Sequence, residues 1–326
     1  MAGTPVGVDT ITSISRRILR EEATDVYYKG SPVTWRLFTQ NKVVRRGGYQ
    51  IESRFIYQPW ATGGSFYGPE VLNVEPSDTE LDGVWLWKEN YTNVTLAQRD
   101  LIRADSEYAV ANLVVEQCEN SKMDLRDRIA TQMWSYGANY KDIDGLLEVI
   151  DDGTLSSTYA GLTRSSYTWL KAQIDSTTTT LSIGALNSLW DLCTIGARAP
   201  KFTASVRANL TRYENLLQPQ VQYTQPTAVV DQTFASGGFS GGWYRNQPWL
   251  VDEHIPTSGA ASGSGNLLCF VNDDYMELAV NTNGDWVVGD FQQPTDQMVI
   301  TSLVYVACNL ICTNPQLNGK MTALTA

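Results

Sequence analysis

The 326-residue chain has a single histidine, His254. That scarcity leaves no histidine cluster for a metal and at most one imidazole for acid–base chemistry. His254 stands in Asp252-Glu253-His254, which offers half of an acid–base pair but reads more simply as a surface turn. Cysteine is also sparse. Cys118, Cys193, Cys269, Cys308 and Cys312 are odd in number, scattered, and form no CxxC. Cys308 and Cys312 are four apart in a strand-like run and share a face, so buried free thiols are expected rather than a metal site. No stretch approaches the ~18–20 uninterrupted apolar residues of a membrane helix. The opening Met1-Ala-Gly-Thr-Pro lacks a basic-then-apolar leader. The chain is therefore read as soluble and made in a cytoplasm, and the sequons at Asn90, Asn93 and Asn209 carry no weight.

The usual catalytic signatures are missing as well. No P-loop, no GxGxxG in a βαβ setting and no HExxH occurs. Gly238-Phe239-Ser240-Gly241-Gly242 contains a GxSxG string, but no helix follows Ser240 and His254 comes too soon after it for a nucleophile elbow. Asp151-Asp152 runs into Gly153 and reads as a turn before it reads as a metal site. No catalytic residue, cofactor or metal is expected.

What is present begins with charge. The net charge is −11, which disfavours binding the outside of nucleic acid. Its distribution is uneven. Residues 1–60 hold nine Lys/Arg against five Asp/Glu, and the rest hold fifteen against thirty. A basic leading segment on an acidic body suits docking on a neighbouring copy, or on its own domain. Within Thr10 to Gln40, Ile11, Ile14, Ile18 and Leu19 recur at helical spacing with Arg16, Arg17 and Arg20 opposite, predicting a short amphipathic helix in an arm.

Gly47-Gly48 opens an aromatic and β-branched run, Tyr49 to Trp60. Ala61–Ser65 and a Pro/Gly/Asp-dotted stretch break it, and a second run, Gly83 to Thr95, returns. This predicts an extended hairpin with a long irregular tip. The tip holds Phe66, Tyr67, Val71 and Leu72, which have little within the hairpin to bury against. Isolated hairpins are marginal in water, so this one needs a surface. Thr95-Leu96-Ala97-Gln98 reads as a capping box. No proline or glycine follows until after Trp134, and Tyr108, Ala111, Val115, Cys118, Leu125, Ile129 and Met133 keep a three-or-four spacing, interrupted by Lys122. Gly137 supplies a stop. The expectation is one helix of roughly forty residues, about 60 Å long.

Residues 139–295 mix helix and strand. Ser182–Thr194 is predicted helical, with Leu186, Leu189, Trp190 and Cys193 inward. Thr203–Leu217 is another, with Val206, Leu210, Tyr213 and Leu217 on one face. Ser236–Gly242 and Ser258–Gly265 are loops. Met298–Cys312 is a long strand, expected in a sheet covered on both sides. Ten tryptophans are many for this length. Trp85 and Trp87 share a strand face and Trp60 lies at a hairpin end. They suit packing or subunit interfaces, or else the sugar-binding face of a carbohydrate-binding module.

In this order, Gly47-Gly48-Tyr49-Gln50-Ile51, Trp85-Leu86-Trp87, one long helix, a mixed region and a closing strand resemble a tailed-bacteriophage major capsid protein. The fold implied is the α+β Johnson fold, of the Hong Kong phage capsid type. Asp144-Gly145-Leu146-Leu147, Ala160-Gly161-Leu162-Thr163-Arg164 and Trp169 look like the family's stretch after its spine helix. Val251-Asp252 through Pro256 and Phe270-Val271-Asn272-Asp273-Asp274-Tyr275 resemble its later hairpin. Asn314-Pro315-Gln316 through Gly319 and Met321 look like its ending.

The resemblance implies an N-terminal arm (1–44), an E-loop (45–86), a peripheral domain with spine helix (87–138), an axial domain (139–295) and a return strand (296–326). It implies hexamers and pentamers forming an icosahedral shell around double-stranded DNA held without sequence-specific contacts. Partners would be a portal and a scaffolding or cement protein, and the product a virion assembled in host cytoplasm. Arg16, Arg17, Arg20, Arg45, Arg46, Trp60, Phe66 and Tyr67 are the expected assembly residues. An encapsulin-type shell is the alternative within the fold. Some family members weld subunits through an E-loop lysine, but from Val43 to Trp87 this chain has none. Lys42 and Lys88 flank the hairpin at its base, so non-covalent contacts are expected.

Overall fold

The computed structural model describes residues 31–39, 42–60, 62–72, 75–76, 78–99, 107–217, 242–257 and 266–325. The predicted helix with Arg16, Arg17 and Arg20, Ser240 and the loop 258–265 lie outside them, as do all of residues 236–241.

The described chain is α+β, organised on two sheets. The first takes strands from distant parts of the sequence. These are β1 (Val43–Arg46), β4 (Lys88–Ala97), β12 (Met276–Asn281), β13 (Val287–Val288) and β14 (Val299–Cys312). β12, β13 and β4 all pair antiparallel with β14, and β1 pairs parallel with β12. Alternation explains β4. Asn90, Thr92, Val94 and Leu96 point inward and Tyr91, Asn93 and Thr95 outward.

The helix α2 (Glu107–Gln132) covers the inward face, at 26 residues about 39 Å long. Its buried stripe is Val110, Val114, Cys118, Ser121, Leu125 and Ile129. Ser121 Oγ donates to the Asn93 carbonyl (3.1 Å), and Thr92 Oγ1 donates to Asp124 (3.2 Å). These bonds let polar residues sit in the seam.

Two expectations are corrected here. Thr95–Ala97 are strand residues, paired with Thr301, Ile300 and Val299, and helical residues begin only at Gln98, so Thr95 is not the cap. Cross-strand hydrogen bonds outweigh a local cap that fits equally well by sequence. The stripe also passes through Val114 and Ser121; Val115 is only half-buried.

The second sheet has the order β7-β15-β11-β8-β10-β9. Its strands are β7 (Gln173–Asp175), β8 (Phe202–Ser205), β9 (Gly242–Tyr244), β10 (Gln247–Val251), β11 (Asn266–Val271) and β15 (Gly319–Leu324). α4 (Ile183–Leu192) and α5 (Arg207–Leu217) pack on one face through Leu186, Leu189, Trp190, Cys193, Leu210 and Tyr213, which meet Trp249, Phe270 and Met321. Ser182 caps α4, its side chain accepting from the Ala185 N–H. Thr203–Ser205 are fully buried strand, so the predicted helix begins only after Val206, and Leu217 is exposed. The long strand β14 is covered on both sides from Ala307 to Cys312, but Leu303 and Tyr305 face outward.

Residues 31–39 and 42–46 are built into this body. α1 (Pro32–Thr39) buries Val33, Trp35 and Leu37, and its Arg36 forms a buried ion pair with Asp273 at 2.7 Å.

Candidate assembly surface

The predicted hairpin is β2 (Gln50–Ile56) and β3 (Glu80–Leu86), antiparallel from Gln50↔Leu86 to Ile56↔Glu80. The returning run is not one strand. It divides at Trp87, after which β4 leaves the hairpin for the first sheet. Trp87 marks the turning point, its indole N–H donating to the Gly48 carbonyl (3.0 Å).

The lower hairpin is anchored. Ile51, Phe55 and Trp85 share its buried face. Phe55 stands 4.9 Å from the Trp169 ring and 5.9 Å from Trp85, and Trp85 meets Tyr159 edge-on at 5.9 Å. Gly83 makes this possible, since a Cβ there would stand 2.3 Å from the Phe55 ring. Beyond the root, β3 is tied to the body by the Val84 N–H donating to the Ala160 carbonyl (2.9 Å). Trp85 is therefore unavailable for stacking on a sugar, and Trp87 is half-buried against the same core.

The upper hairpin is the reverse. Past Ile56 and Glu80 the ladder stops, and Tyr57 Oη donating to the Asp78 carbonyl (2.9 Å) closes its base. Tyr67 is 90% exposed and Val71 fully so, with Trp60, Phe66 and Leu72 all more than half exposed. From Tyr57 to Thr79 the only charges are Glu70, Glu75 and Asp78. The tip is thus apolar, acidic and without a cation. Exposed aromatic and aliphatic side chains clustered this way mark an interaction site.

The predicted assembly residues fall into three groups. Trp60, Phe66 and Tyr67 are gathered on the tip. Arg45 and Arg46 lie in β1 at the hairpin root, each engaged within the chain, Arg45 with Asp285 (2.8 Å) and Arg46 with Glu277 (2.6 Å). Arg16, Arg17 and Arg20 are not among the described residues. Two exposed side chains went unnamed. Tyr49 and Ile56 flank the strand, and Ile56 follows Phe55 on the opposite face, which strand alternation alone reveals. A second apolar patch, Tyr91, Leu303 and Tyr305, lies on the outer face of β4 and β14, with Tyr91 directly opposite Tyr305.

The reactive residue types are occupied structurally. His254 bridges Asp252 (Nδ1, 3.1 Å) and Asp127 of α2 (Nε2, 2.9 Å). The hydrogen bond to Asp252 raises it to about 9, against burial and with help from Asp127. Asp252 also accepts from the Ser31 hydroxyl, so the triplet ties α1's start to α2. All five cysteines are buried and in no disulfide, and burial pushes Cys193, Cys269, Cys308 and Cys312 up to about 12. Such thiols stay protonated and inert. Asp151 is a buried turn carboxylate. Its Oδ2 accepts from the N–H groups of Gly153, Leu155 and Ser156, and its Oδ1 faces buried Lys320 at 3.4 Å. Among the described residues no group of three His, Cys, Asp or Glu is placed to hold a metal, and no helix is long and apolar enough to cross a membrane.

No family model and no curated protein matches the sequence. Solved structures do match in shape. The capsid of cyanophage A-1(L) superposes with a TM-score of 0.62 at 11% identity, over 94% of this chain and 93% of that one. The SrpI encapsulin of Synechococcus elongatus PCC 7942 follows at 0.58 and 12%, over 100% and 92%. A chain of Mycobacterium phage Ogopogo gives 0.52 and 13%, over 90% and 92%. Over nearly its whole length, the chain therefore has the fold of the tailed-phage capsid proteins.

Proposed function

We propose that the chain is the major capsid protein of a tailed phage, self-assembling into hexamers and pentamers of an icosahedral shell around double-stranded DNA. One observation carries this reading. On a capsid-type body, a hairpin with an anchored root holds out an apolar tip that the described residues of its own chain do not cover. Each large side chain of that tip stabilises its resting place by about 1.5–3 kcal/mol when buried. A neighbouring copy supplies that place. The tip's carboxylates complement the basic segment containing Arg16, Arg17 and Arg20, so arm and E-loop of adjacent copies suit one another. The arm of this reading then ends before Ser31, because α1 belongs to the body. In this reading α2 is the spine helix, the second sheet the axial domain, and β14 the return strand.

Many modest contacts closed by symmetry make such a shell stable without covalent links. Lys88 supports this. It donates to the Tyr140 carbonyl (2.6 Å) and pairs with Asp144, while Lys42 pairs with Asp274. A portal and a scaffolding or cement protein would complete a virion assembled in host cytoplasm.

The encapsulin-type shell is the second reading, favoured by the match over the whole chain. Electron microscopy of purified protein tests both. Closed shells or capsomers are expected, giving one subunit band on a denaturing gel. Nucleic acid inside native particles supports a phage head, and enclosed protein an encapsulin. A clean 36.2 kDa monomer at micromolar concentration overturns both.

A further inference from the structure

The loop after β10 meets the exposed side of α2 through one side chain. His254 Nδ1 stands 3.1 Å from Asp252 Oδ1, and its Nε2 stands 2.9 Å from Asp127 Oδ1. The two carboxylates have unlike settings. Asp252 is buried, and besides the ring it accepts from the His254 N–H (3.0 Å) and from the Ser31 hydroxyl at the start of α1. Ser31 in turn accepts from Thr34 Oγ1 (3.0 Å). The Asp127 side chain is 74% exposed, and among the described residues its ion pair is with the ring alone.

An ionised carboxylate only accepts, and a neutral imidazole carries one N–H. Both contacts are hydrogen bonds at once only when the ring is the doubly protonated cation. The charged groups acting on the ring are Asp252 on its own segment and Asp127 on α2. α1 brings the neutral hydroxyl of Ser31, Glu253 is exposed beside the ring, and on α2 Asp124 and Arg128 pair with each other (3.8 Å).

We propose that His254 is a proton-operated clasp between α2 and the corner formed by α1 and the end of β10. Charged, the ring holds Asp252 and Asp127 together. Neutral, it keeps its one proton for the carboxylate that cannot reach water, and its other nitrogen presents a lone pair that repels Asp127. Asp127 then turns into solvent, and α2 comes free of the corner while Ser31 keeps α1 in place. The release is local. α2 is still held by its buried stripe and, past its end, by the Leu146 N–H of the short helix α3 (Leu146–Val149), which donates to the Met133 carbonyl (2.7 Å).

The direction of the pH response follows. The hydrogen bond to Asp252 acts most strongly on the ring, burial opposes it and Asp127 reinforces it, so the imidazole rises from 6.5 to about 9. The folded state holds this proton more tightly than the unfolded one. The stabilisation is therefore whole below pH 6.5 and is lost as pH rises through 9. The inference concerns a single chain and stands apart from the assembly reading.

A double-mutant cycle tests it. Wild type, His254→Ala, Asp127→Asn and the double variant are unfolded in urea as dissociated subunits at pH 7 and at pH 10. Other groups that titrate in this span are common to all four proteins and cancel. The two residues should be coupled about fivefold in the unfolding constant at pH 7, as a partly exposed ion pair is, and uncoupled at pH 10. Coupling that persists at pH 10, or none at pH 7, overturns the clasp. Should His254→Ala not fold, because it strands buried Asp252, the ring itself decides. The chain has one histidine, so the NMR signal of 13C-labelled histidine follows it without ambiguity. Asp127→Asn, at an exposed position, should lower the midpoint by about 0.7 pH unit, the same fivefold. An unmoved midpoint refutes the proposal.

Discussion

Between Trp60 and Leu72 the chain exposes three aromatic rings, Trp60, Phe66 and Tyr67, and leaves Val71 wholly uncovered. Between Cys308 and Leu324 it does the opposite, burying Asn309, Asn318 and the ammonium of Lys320. The two regions misplace residues in opposite senses, and the reasons differ. In the strands every misplaced group is answered within the chain. Asn318 Oδ1 accepts from the Asn272 N–H (2.8 Å), and Lys320 faces Asp151. In the tip the exposed rings find no such cover among the described residues. The strand region is finished as a monomer, and the tip is stable where it stands only because its root is anchored.

The sharpest way to break this contrast is to remove the tip. Replacing Gln58–Asp78 with a short Asn-Gly turn should leave thermal unfolding of the unassembled chain within a few degrees of the parent, since the Phe55–Trp85–Trp169 cluster stays. Shells should disappear altogether under microscopy. Normal particles from the shortened chain would mean the tip is decoration. Loss of folding would mean it belongs to the core.

A smaller effect is expected inside. Lys320→Ala strands the Asp151 carboxylate in the interior and should cost about 3 kcal/mol in urea unfolding of dissociated subunits. A neutral outcome would show that the three backbone N–H groups on Asp151 suffice without the lysine. The smallest effect belongs to the tip again. Phe66→Ser with Tyr67→Ser should change subunit stability by less than about 0.5 kcal/mol, as exposed positions do, while lowering the yield of particles. A destabilisation as large as that of Lys320→Ala would erase the distinction between the regions.

The same contrast decides what was legible in the sequence. The hairpin and its need for a surface could be read from Phe66, Tyr67, Val71 and Leu72, because the signal was a local absence of partners. α4 was legible too, its capping serine and Leu186, Leu189 and Trp190 all lying within one short window. The helix start at Thr95 was misread because Thr-Leu-Ala-Gln satisfies a cap and a strand equally, and β14, which decides between them, lies some two hundred residues on. Thr203–Ser205 were absorbed into a helix for the same reason, since their neighbours β10 and β11 are remote. The Asp127 partner of His254 was out of reach. Each residue of that pair looks like an ordinary surface group until the fold brings its counterpart from a distant part of the chain.

β14 and β15 sit inside their sheets, with β14 between β12 and β4, and β15 between β7 and β11. The sheets therefore close only after Val299–Leu324 have emerged from the ribosome. The hairpin's strands pair locally on a microsecond scale and need only Tyr159 and Trp169 as a surface for their root, which emerge well before Val299. During synthesis the adhesive element is thus ready long before the body that holds it. High contact order makes the remaining steps slow. Nascent chains on one message pass through a period in which sticky tips protrude from unfinished bodies, and this sets the time over which chaperones must keep them apart.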